Sequence, residues 1–213
     1  MPQSRRYKKK KSAGKAILAW IIVLAILAAG VLVFVSVFYE DAKKKLDEMN
    51  YPRTYSTYVE KAAKDYDLDP ALIYAVIHTE SGFDPKAESG VGAKGVMQMM
   101  PSSFEWLQEQ RGCAGQYTED DLFDPEICID YGSYLLKYFY DYYGTERSAI
   151  AAYNAGFVVS DWLNDTNYSS DGKNLDSIPY PETENYVDKV ESAKEMYIKP
   201  VSYTHLRAHE TGR

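Results

Sequence analysis

The chain has 213 residues, with 24 lysines and arginines against 31 aspartates and glutamates, and a formal net charge of −7. Seven of these cations lie before residue 16, so the remainder of the chain sets 17 cations against all 31 acids, about −14. Nucleic-acid binding needs clustered cations that displace counterions from phosphates, and this balance argues against it. It also argues against long-range steering of the chain onto an anionic cell wall.

The first predicted element is an uninterrupted run of 23 uncharged, mostly aliphatic residues at 16–38. A helix of this length crosses the roughly 30 Å hydrocarbon core of a bilayer. The basic segment 1–15 has no acidic residue near it, and the positive-inside rule therefore predicts a cytoplasmic N-terminus and an extracytoplasmic remainder. A cleaved signal peptide ending near Ala28-Ala29-Gly30 is the alternative, but the apolar run continues eight residues further. We therefore expect a retained single-pass anchor in the cell membrane.

The segment after the apolar run, residues 39–55, is polar and charged and then breaks at Asn50-Tyr51-Pro52. This pattern is typical of a short stalk that begins as a helix. Residues 56–199 follow, and a stretch of this size can build one domain with its own core. The sequence thus predicts one external domain carried by one anchor.

Within 56–199, helix signals dominate and strand signals are nearly absent. Several helices are predicted to begin at a capping residue or a proline in the first turn. Glycines and a proline between residues 82 and 95 indicate a long loop that includes a small hairpin. The fold class is therefore mainly α. The predicted helices are Thr57–Tyr66, one opening at Asp69-Pro70, one at Pro101, one from Asp124-Pro125 to Gly144, one from Thr145 to Gly156, and one from Pro181.

The last segment, residues 200–213, does not continue this pattern and resembles a translated sequencing-adapter remnant. We treat it as a non-native tail. His205 and His209 within it have the i, i+4 spacing of a metal-binding pair, but no further ligand lies near them in the sequence. The sequence therefore predicts no metal site.

Glu80 lies at the end of the almost wholly apolar helix that opens at Asp69-Pro70. Cleaving a glycosidic bond requires an acid that stays protonated near neutral pH, and desolvation raises a carboxyl pKa. A solvated glutamate at a helix end is the commoner fate of any single residue of this type. His78 precedes Glu80 by two positions and is turned about 200° away on a helix, so we expect it to pack rather than to assist.

Three motifs accompany Glu80: residues 95–101 (Gly-Val-Met-Gln-Met-Met-Pro), 152–156 (Ala-Tyr-Asn-Ala-Gly) and 181–187 (Pro-Glu-Thr-Glu-Asn-Tyr-Val). The amide of Gln98 can donate to and accept from an acetamido group, and the flexible thioether of Met97 can mould to a sugar face. In this order the motifs resemble the SLT-type lytic transglycosylases, relatives of goose-type lysozyme, over nearly all of 56–199. The resemblance implies a lysozyme-like catalytic domain that acts on peptidoglycan without a cofactor.

The resemblance also implies roles for individual residues. Glu80 would protonate the bond between N-acetylmuramic acid and N-acetylglucosamine and then, as carboxylate, deprotonate the muramyl C6 hydroxyl to close a 1,6-anhydro ring. The residues that would bind or orient the substrate are Ser81, Met97, Gln98, Tyr153, Asn154 and Tyr186. The chain departs from the family pattern directly after Gly156, and Glu184 stands where the family has arginine.

Two alternatives remain open from the sequence. A muramidase would use the same acid with water as acceptor, and Asp84 or Glu88 would then be its second carboxylate, although both lie in a loop where solvated acids are the default. A non-catalytic glycan-binding or secretion-scaffold protein is the other alternative, and it is disfavoured because the chain retains four residues together: Glu80, Gln98, Tyr153 and Asn154.

The chain has two cysteines, Cys113 and Cys128, and both follow the predicted anchor. Outside the cell membrane a disulfide between them can persist. It would close a loop between two predicted helices and stabilise the fold by about 3 kcal/mol in the chain-entropy model. Two free thiols, with Cys128 buried on its helix, are the alternative.

Overall fold

The computed structural model describes residues 10–198, and the predicted tail at 200–213 lies outside them. Eight α-helices account for most of this part of the chain, which contains two isolated antiparallel bridges and no named strand. The mainly α fold class is confirmed. The helices are α1 (Lys10–Asn50), α2 (Ser56–Tyr66), α3 (Pro70–Ser81), α4 (Pro101–Gln110), α5 (Pro125–Tyr143), α6 (Glu146–Ala155), α7 (Val159–Asn164) and α8 (Pro181–Ile198).

The chain divides into two compact units at Asn50. The first contains α1, which is long and apolar enough over Ile17–Asn50 to cross a membrane. Its large aliphatic side chains between Ile17 and Phe38 are exposed, as those of a lipid-facing helix would be. The helix ends at Asn50, where the sequence predicts a break before Pro52.

The second unit begins at Tyr51, earlier than the domain boundary at residue 56 that the sequence predicts. The reason is packing: the Tyr51 ring stacks on the His78 ring with centroids 5.1 Å apart, and the Tyr197 hydroxyl donates to the Pro52 carbonyl at 3.2 Å. These contacts attach the end of the predicted stalk to the domain. They also confirm that His78 packs.

The core of the second unit forms around α3, whose residues 71–77 are all buried. Helix α8 packs against α3, while α5 packs against α2 and α6. The predicted starts of α3 and α5 are confirmed by their caps. The Asp69 side chain accepts from the Ala71 amide at 2.9 Å, and the Asp124 side chain accepts from the Glu126 amide at 2.8 Å. Each cap satisfies a backbone donor that has no partner inside its helix.

Three short helices were not predicted: the 3₁₀ helices Glu119–Phe123 and Gly156–Val158, and α7. The segment Glu119–Phe123 is held by a capping box, because the Thr118 amide donates to the Asp121 carboxylate at 2.7 Å. Helix α7 follows Gly156, where the sequence departs from the family pattern, and it buries Trp162 and Leu163. Elements this short carry too little hydrophobic periodicity to be recognised from sequence.

The predicted disulfide is not formed in the structure, where both cysteines are free. The Cys128 thiol is buried and accepts from the Met97 amide at 3.4 Å, which places it under the loop of residues 95–101. The Cys113 sulfur instead contacts the Tyr131 hydroxyl at 3.3 Å. Burial raises the pKa of Cys128 to about 12, which leaves it an unreactive packing group.

Candidate active site

Glu80 lies in the last turn of α3, where α8 crosses it, and its side chain is half-buried. The Tyr186 hydroxyl of α8 donates to Glu80 Oε1 at 2.7 Å. Burial raises the pKa of Glu80 to about 7, and the hydrogen bond from Tyr186, which stabilises the charged form, opposes that rise. Tyr186, one of the residues that the family resemblance singles out, thus lies beside Glu80.

Tyr153 is the second phenol near the acid. Its hydroxyl donates to the Met97 carbonyl at 2.9 Å, which ties α6 to the loop of residues 95–101. Burial raises the pKa of Tyr153 well above its ordinary value, and the negative charge of Glu80 raises it further. The Tyr153 hydroxyl therefore already donates its proton to a backbone carbonyl, and only the lone pairs of its oxygen can accept a hydrogen bond from another group.

Ser81 fixes the loop against the helix that carries Glu80. Its hydroxyl donates to the Val96 carbonyl at 2.8 Å and accepts from the Phe83 amide at 3.1 Å. A further contact of 3.3 Å joins it to the Ile77 carbonyl within α3. All three partners are backbone groups, so in this structure Ser81 positions the loop and the peptide after Glu80 rather than bonding to the acid itself.

Met97 does not present its side chain to a ligand, contrary to the prediction. The residue is 0% exposed, and its sulfur sits against α5 so closely that a Cβ on Gly132 would lie 2.6 Å from it. Met99 is also buried, whereas Met100 is exposed. The sequence could not separate these three methionines because a loop has no periodicity that fixes which side chains turn inward.

The side chain of Gln98 stabilises the loop through hydrogen bonds to its backbone. Its amide nitrogen donates to the Ala87 and Gly95 carbonyls, at 3.0 Å each. Its backbone φ of 47° lies in the left-handed region, which a residue with a Cβ occupies at a cost. Since both amide protons are used in the loop, the acceptor oxygen is the part of Gln98 that is available to a substrate hydroxyl or amide.

Asn154 is exposed near the end of α6, and a buried threonine orients it. The Thr183 hydroxyl, in the first turn of α8, donates to Asn154 Oδ1 at 2.8 Å, and Thr183 is only 2% exposed. The amide oxygen is thereby engaged, and the amide nitrogen is left as the donor that can reach a ligand. Sequence reasoning missed Thr183, although its place in the third motif, between two glutamates, was the available signal.

The candidates for a second carboxylate are both exposed. Asp84 accepts from the Lys86 amide at 2.9 Å in a local turn, and Glu88 takes part in an isolated bridge with Lys94. Neither contributes to the pKa of Glu80, whose causes are its own burial and Tyr186. Within residues 10–198 no group of three or more His, Cys, Asp or Glu side chains could hold a metal ion.

The described groups can therefore do two things chemically. An acid with a pKa of about 7 is present in both protonation states near neutral pH, so it can give a proton in one step and take one in the next. The exposed amide of Asn154 can bind a polar ligand through its nitrogen donor, and the half-buried amide of Gln98 can do so through its oxygen acceptor. A helical domain with one desolvated acid at the end of its central helix is the arrangement of lysozyme-like, glycan-cleaving domains.

Comparison with known proteins agrees with this class. Residues 57–175, more than half of the chain, match the family model described as the Transglycosylase SLT domain. The chain therefore belongs to this family, and its helical unit has the lysozyme-like fold.

Among its relatives, the soluble lytic murein transglycosylase of Escherichia coli K12 is 32% identical over 146 residues, which cover 67% of this chain and 23% of that protein. The membrane-bound lytic murein transglycosylase C of Actinobacillus succinogenes is 30% identical over 167 residues, covering 68% and 47%. The X-ray structure of an inactive mutant of lytic transglycosylase Slt from Pseudomonas aeruginosa superposes with a TM-score of 0.62 at 30% identity, over 70% of this chain and 25% of that one. The chain thus spans less than half the length of each of these proteins.

Proposed function

We propose that the protein is a membrane-anchored lytic transglycosylase that cleaves the β-1,4 bond between N-acetylmuramic acid and N-acetylglucosamine in peptidoglycan. The observation that carries the proposal is the half-buried Glu80, with a pKa of about 7 and a hydrogen bond from Tyr186. The names of the relatives, lytic murein transglycosylases, support the same reaction class.

In the proposed reaction, protonated Glu80 gives its proton to the glycosidic oxygen, and the bond from that oxygen to C1 of the muramyl residue breaks. The C6 hydroxyl oxygen of the same residue then bonds to C1, and its proton returns to Glu80. No water is consumed, and the acid ends in the state in which it began. A pKa close to the working pH suits this double role, because neither protonation state is costly to reach.

The substrate would be held by polar groups around the acid. The amide nitrogen of Asn154 would donate to an acetamido carbonyl, and the amide oxygen of Gln98 would accept from a sugar hydroxyl or acetamido N–H. Ser81 and Tyr153 would act indirectly, because their hydrogen bonds hold the loop between residues 95 and 101 in place. Tyr186 would set the proton affinity of Glu80.

The anchor would be α1, with residues 1–15 in the cytoplasm and the helical unit outside. Its length and apolar composition support a membrane span, and the cations before residue 16 support this orientation. Alkaline phosphatase fused after residue 198 should be active in cells, and the same enzyme fused to the N-terminus should not. The reverse pattern would contradict the proposed topology.

The reaction is tested by product analysis. The full chain in detergent micelles is incubated with purified peptidoglycan sacculi, and the released muropeptides are measured by mass spectrometry. Wild type should release 1,6-anhydromuramyl ends, and Glu80→Gln should release none while still binding the sacculi. Hydrated reducing ends would indicate a muramidase, and binding without release by wild type would indicate a scaffold.

A further inference from the structure

Four aromatic rings form a connected row on the surface of the helical unit, which we call the aromatic row. They come from three segments that are distant in sequence: helix α4, the second half of α5 and the turn after Gly156. The members are Trp106, Tyr138, Tyr142 and Phe157.

Each ring in the row touches the next. The edge of one ring meets the face of another between Trp106 and Tyr138, with centroids 5.0 Å apart. Phe157 lies nearly perpendicular to both Tyr138 and Tyr142, at 6.2 and 5.8 Å. The two tyrosines, one helical turn apart, are nearly parallel to each other. Edge-to-face contacts of this kind hold rings in fixed orientations.

The row is open to solvent at one end. Tyr142 is 58% exposed and Phe157 is 49% exposed. The peptide at Phe157 is nevertheless held in place, because the Tyr143 hydroxyl contacts both the Phe157 carbonyl at 3.5 Å and the Ser160 hydroxyl at 3.1 Å. Contiguous aromatic surface that is fixed and exposed is typical of a binding surface.

The row is close in sequence to both segments that would bind substrate. Helix α4, which carries Trp106, begins directly at Pro101, the last residue of the Gln98 loop. Phe157 follows Asn154 by three residues, and it belongs to the stretch in which this chain departs from the family pattern. A ligand that extends away from Glu80 past these two segments would therefore reach the row.

We infer that the aromatic row is an accessory subsite that binds the glycan strand beyond the bond being cleaved. The inference rests on the proposed function. A pyranose ring has apolar C–H faces that can cover an aromatic ring and hydroxyl edges that can bond to phenols such as Tyr138 and Tyr142. An anionic lipid surface would instead need free cations, and the lysine on this part of α5, Lys137, is paired with Asp141 at 2.6 Å.

The test measures how affinity depends on glycan length. The full chain carrying Glu80→Gln, in detergent micelles, is titrated calorimetrically with peptide-free peptidoglycan glycan strands, a tetrasaccharide and a dodecasaccharide. A sugar that covers roughly 50 Å² of one ring gains about tenfold in affinity. Phe157→Ala and Tyr142→Ala should therefore each weaken dodecasaccharide binding about tenfold and leave tetrasaccharide binding unchanged, and Phe157→Trp should retain the parent affinity.

Tyr140→Ala is the matched control, because Tyr140 is also an exposed tyrosine of α5, at 38%, but its ring lies beside Lys137, outside the row. Equal affinities of the parent and the two alanine variants for the dodecasaccharide would overturn the inference. So would an equal loss in Tyr140→Ala, or a loss for both glycan lengths.

Failure of the row is distinguishable from failure of the proposed function. If the row alone fails, the parent binds both glycans and wild type still releases anhydro ends, while the row variants behave like the parent. If the proposed function fails, wild type releases no anhydro ends. A parent that binds neither glycan would overturn both.

Discussion

The raised pKa of Glu80 predicts that replacing this residue stabilises the protein at neutral pH. Glu80→Gln keeps the size of the side chain and an oxygen that can accept the Tyr186 hydrogen bond, but it removes the titration. In wild type, the folded chain binds the Glu80 proton more tightly than the unfolded chain does. The free energy of unfolding of wild type therefore falls as pH rises between about 4.5 and about 7, and this fall is absent in the variant.

The size of the effect follows from the two pKa values. The interval between the ordinary value of 4.5 and about 7, at ~1.4 kcal/mol per pH unit, corresponds to about 3 kcal/mol. Since Glu80 is half-buried and keeps some solvent contact, we expect about 2–3 kcal/mol. For a chain of this size that amounts to a Tm difference of roughly 4–12 °C at pH 8, and little of it should remain at pH 4.

The assay is thermal unfolding of wild type and Glu80→Gln in the same detergent at several pH values between 4 and 8, followed by circular dichroism. Other titrating groups are common to both proteins and cancel in the difference. Glu88→Gln, which replaces an exposed glutamate in the neighbouring loop, is the matched control. A difference in Tm that does not change with pH, or that grows toward acid, would refute the argument that burial controls this carboxyl group.

Three further predictions concern the surroundings of Glu80. Tyr186→Phe removes the hydrogen bond that lowers the Glu80 pKa, so the pH profile of kcat/KM for sacculus digestion should shift upward; an unchanged profile would contradict this role. Thr183→Val frees the Asn154 amide to rotate and should raise KM several-fold with a smaller change in kcat. Thr183→Ser keeps the hydroxyl and should restore the wild-type KM. An equal rise of KM in both variants would contradict the view that Thr183 orients Asn154. Buried Cys128 should resist alkylation in native protein, as measured by mass spectrometry. A decrease in the mass of the oxidised protein that reductant reverses would instead indicate a disulfide between the two cysteines.

Much of the fold could be predicted because its boundaries depend on local chemistry. Asp69-Pro70 and Asp124-Pro125 each place a side-chain acceptor and a proline at the first turn, and both helices begin there. The attachment of Tyr51 to the domain could not be predicted, because it depends on His78 and on Tyr197, which is distant in sequence. Helix α7 was also missed, since six residues are too few to show a helical period.

The surroundings of Glu80 were predictable in part for the same reason. The apolar helix around Glu80 implies its desolvation, and the family motif draws attention to Tyr186, which donates to Glu80 in the structure. The roles of Met97 and Thr183 depend on which way each side chain turns, and this is set by partners on other helices. Chemical type alone favoured a sugar contact for Met97, whereas packing against Gly132 buries it.

The loop of residues 94–99 has a consequence for ligand affinity. Its ends are joined by a reciprocal pair of backbone hydrogen bonds between Lys94 and Met99, at 3.0 Å each, and Gln98, Ser81 and Tyr153 add further ties along its length. Ordering a free backbone costs about 1–2 kcal/mol per residue. Because folding already meets this cost, a glycan that binds the loop as proposed would meet a preorganised surface, and little of its binding free energy would be lost to ordering the protein.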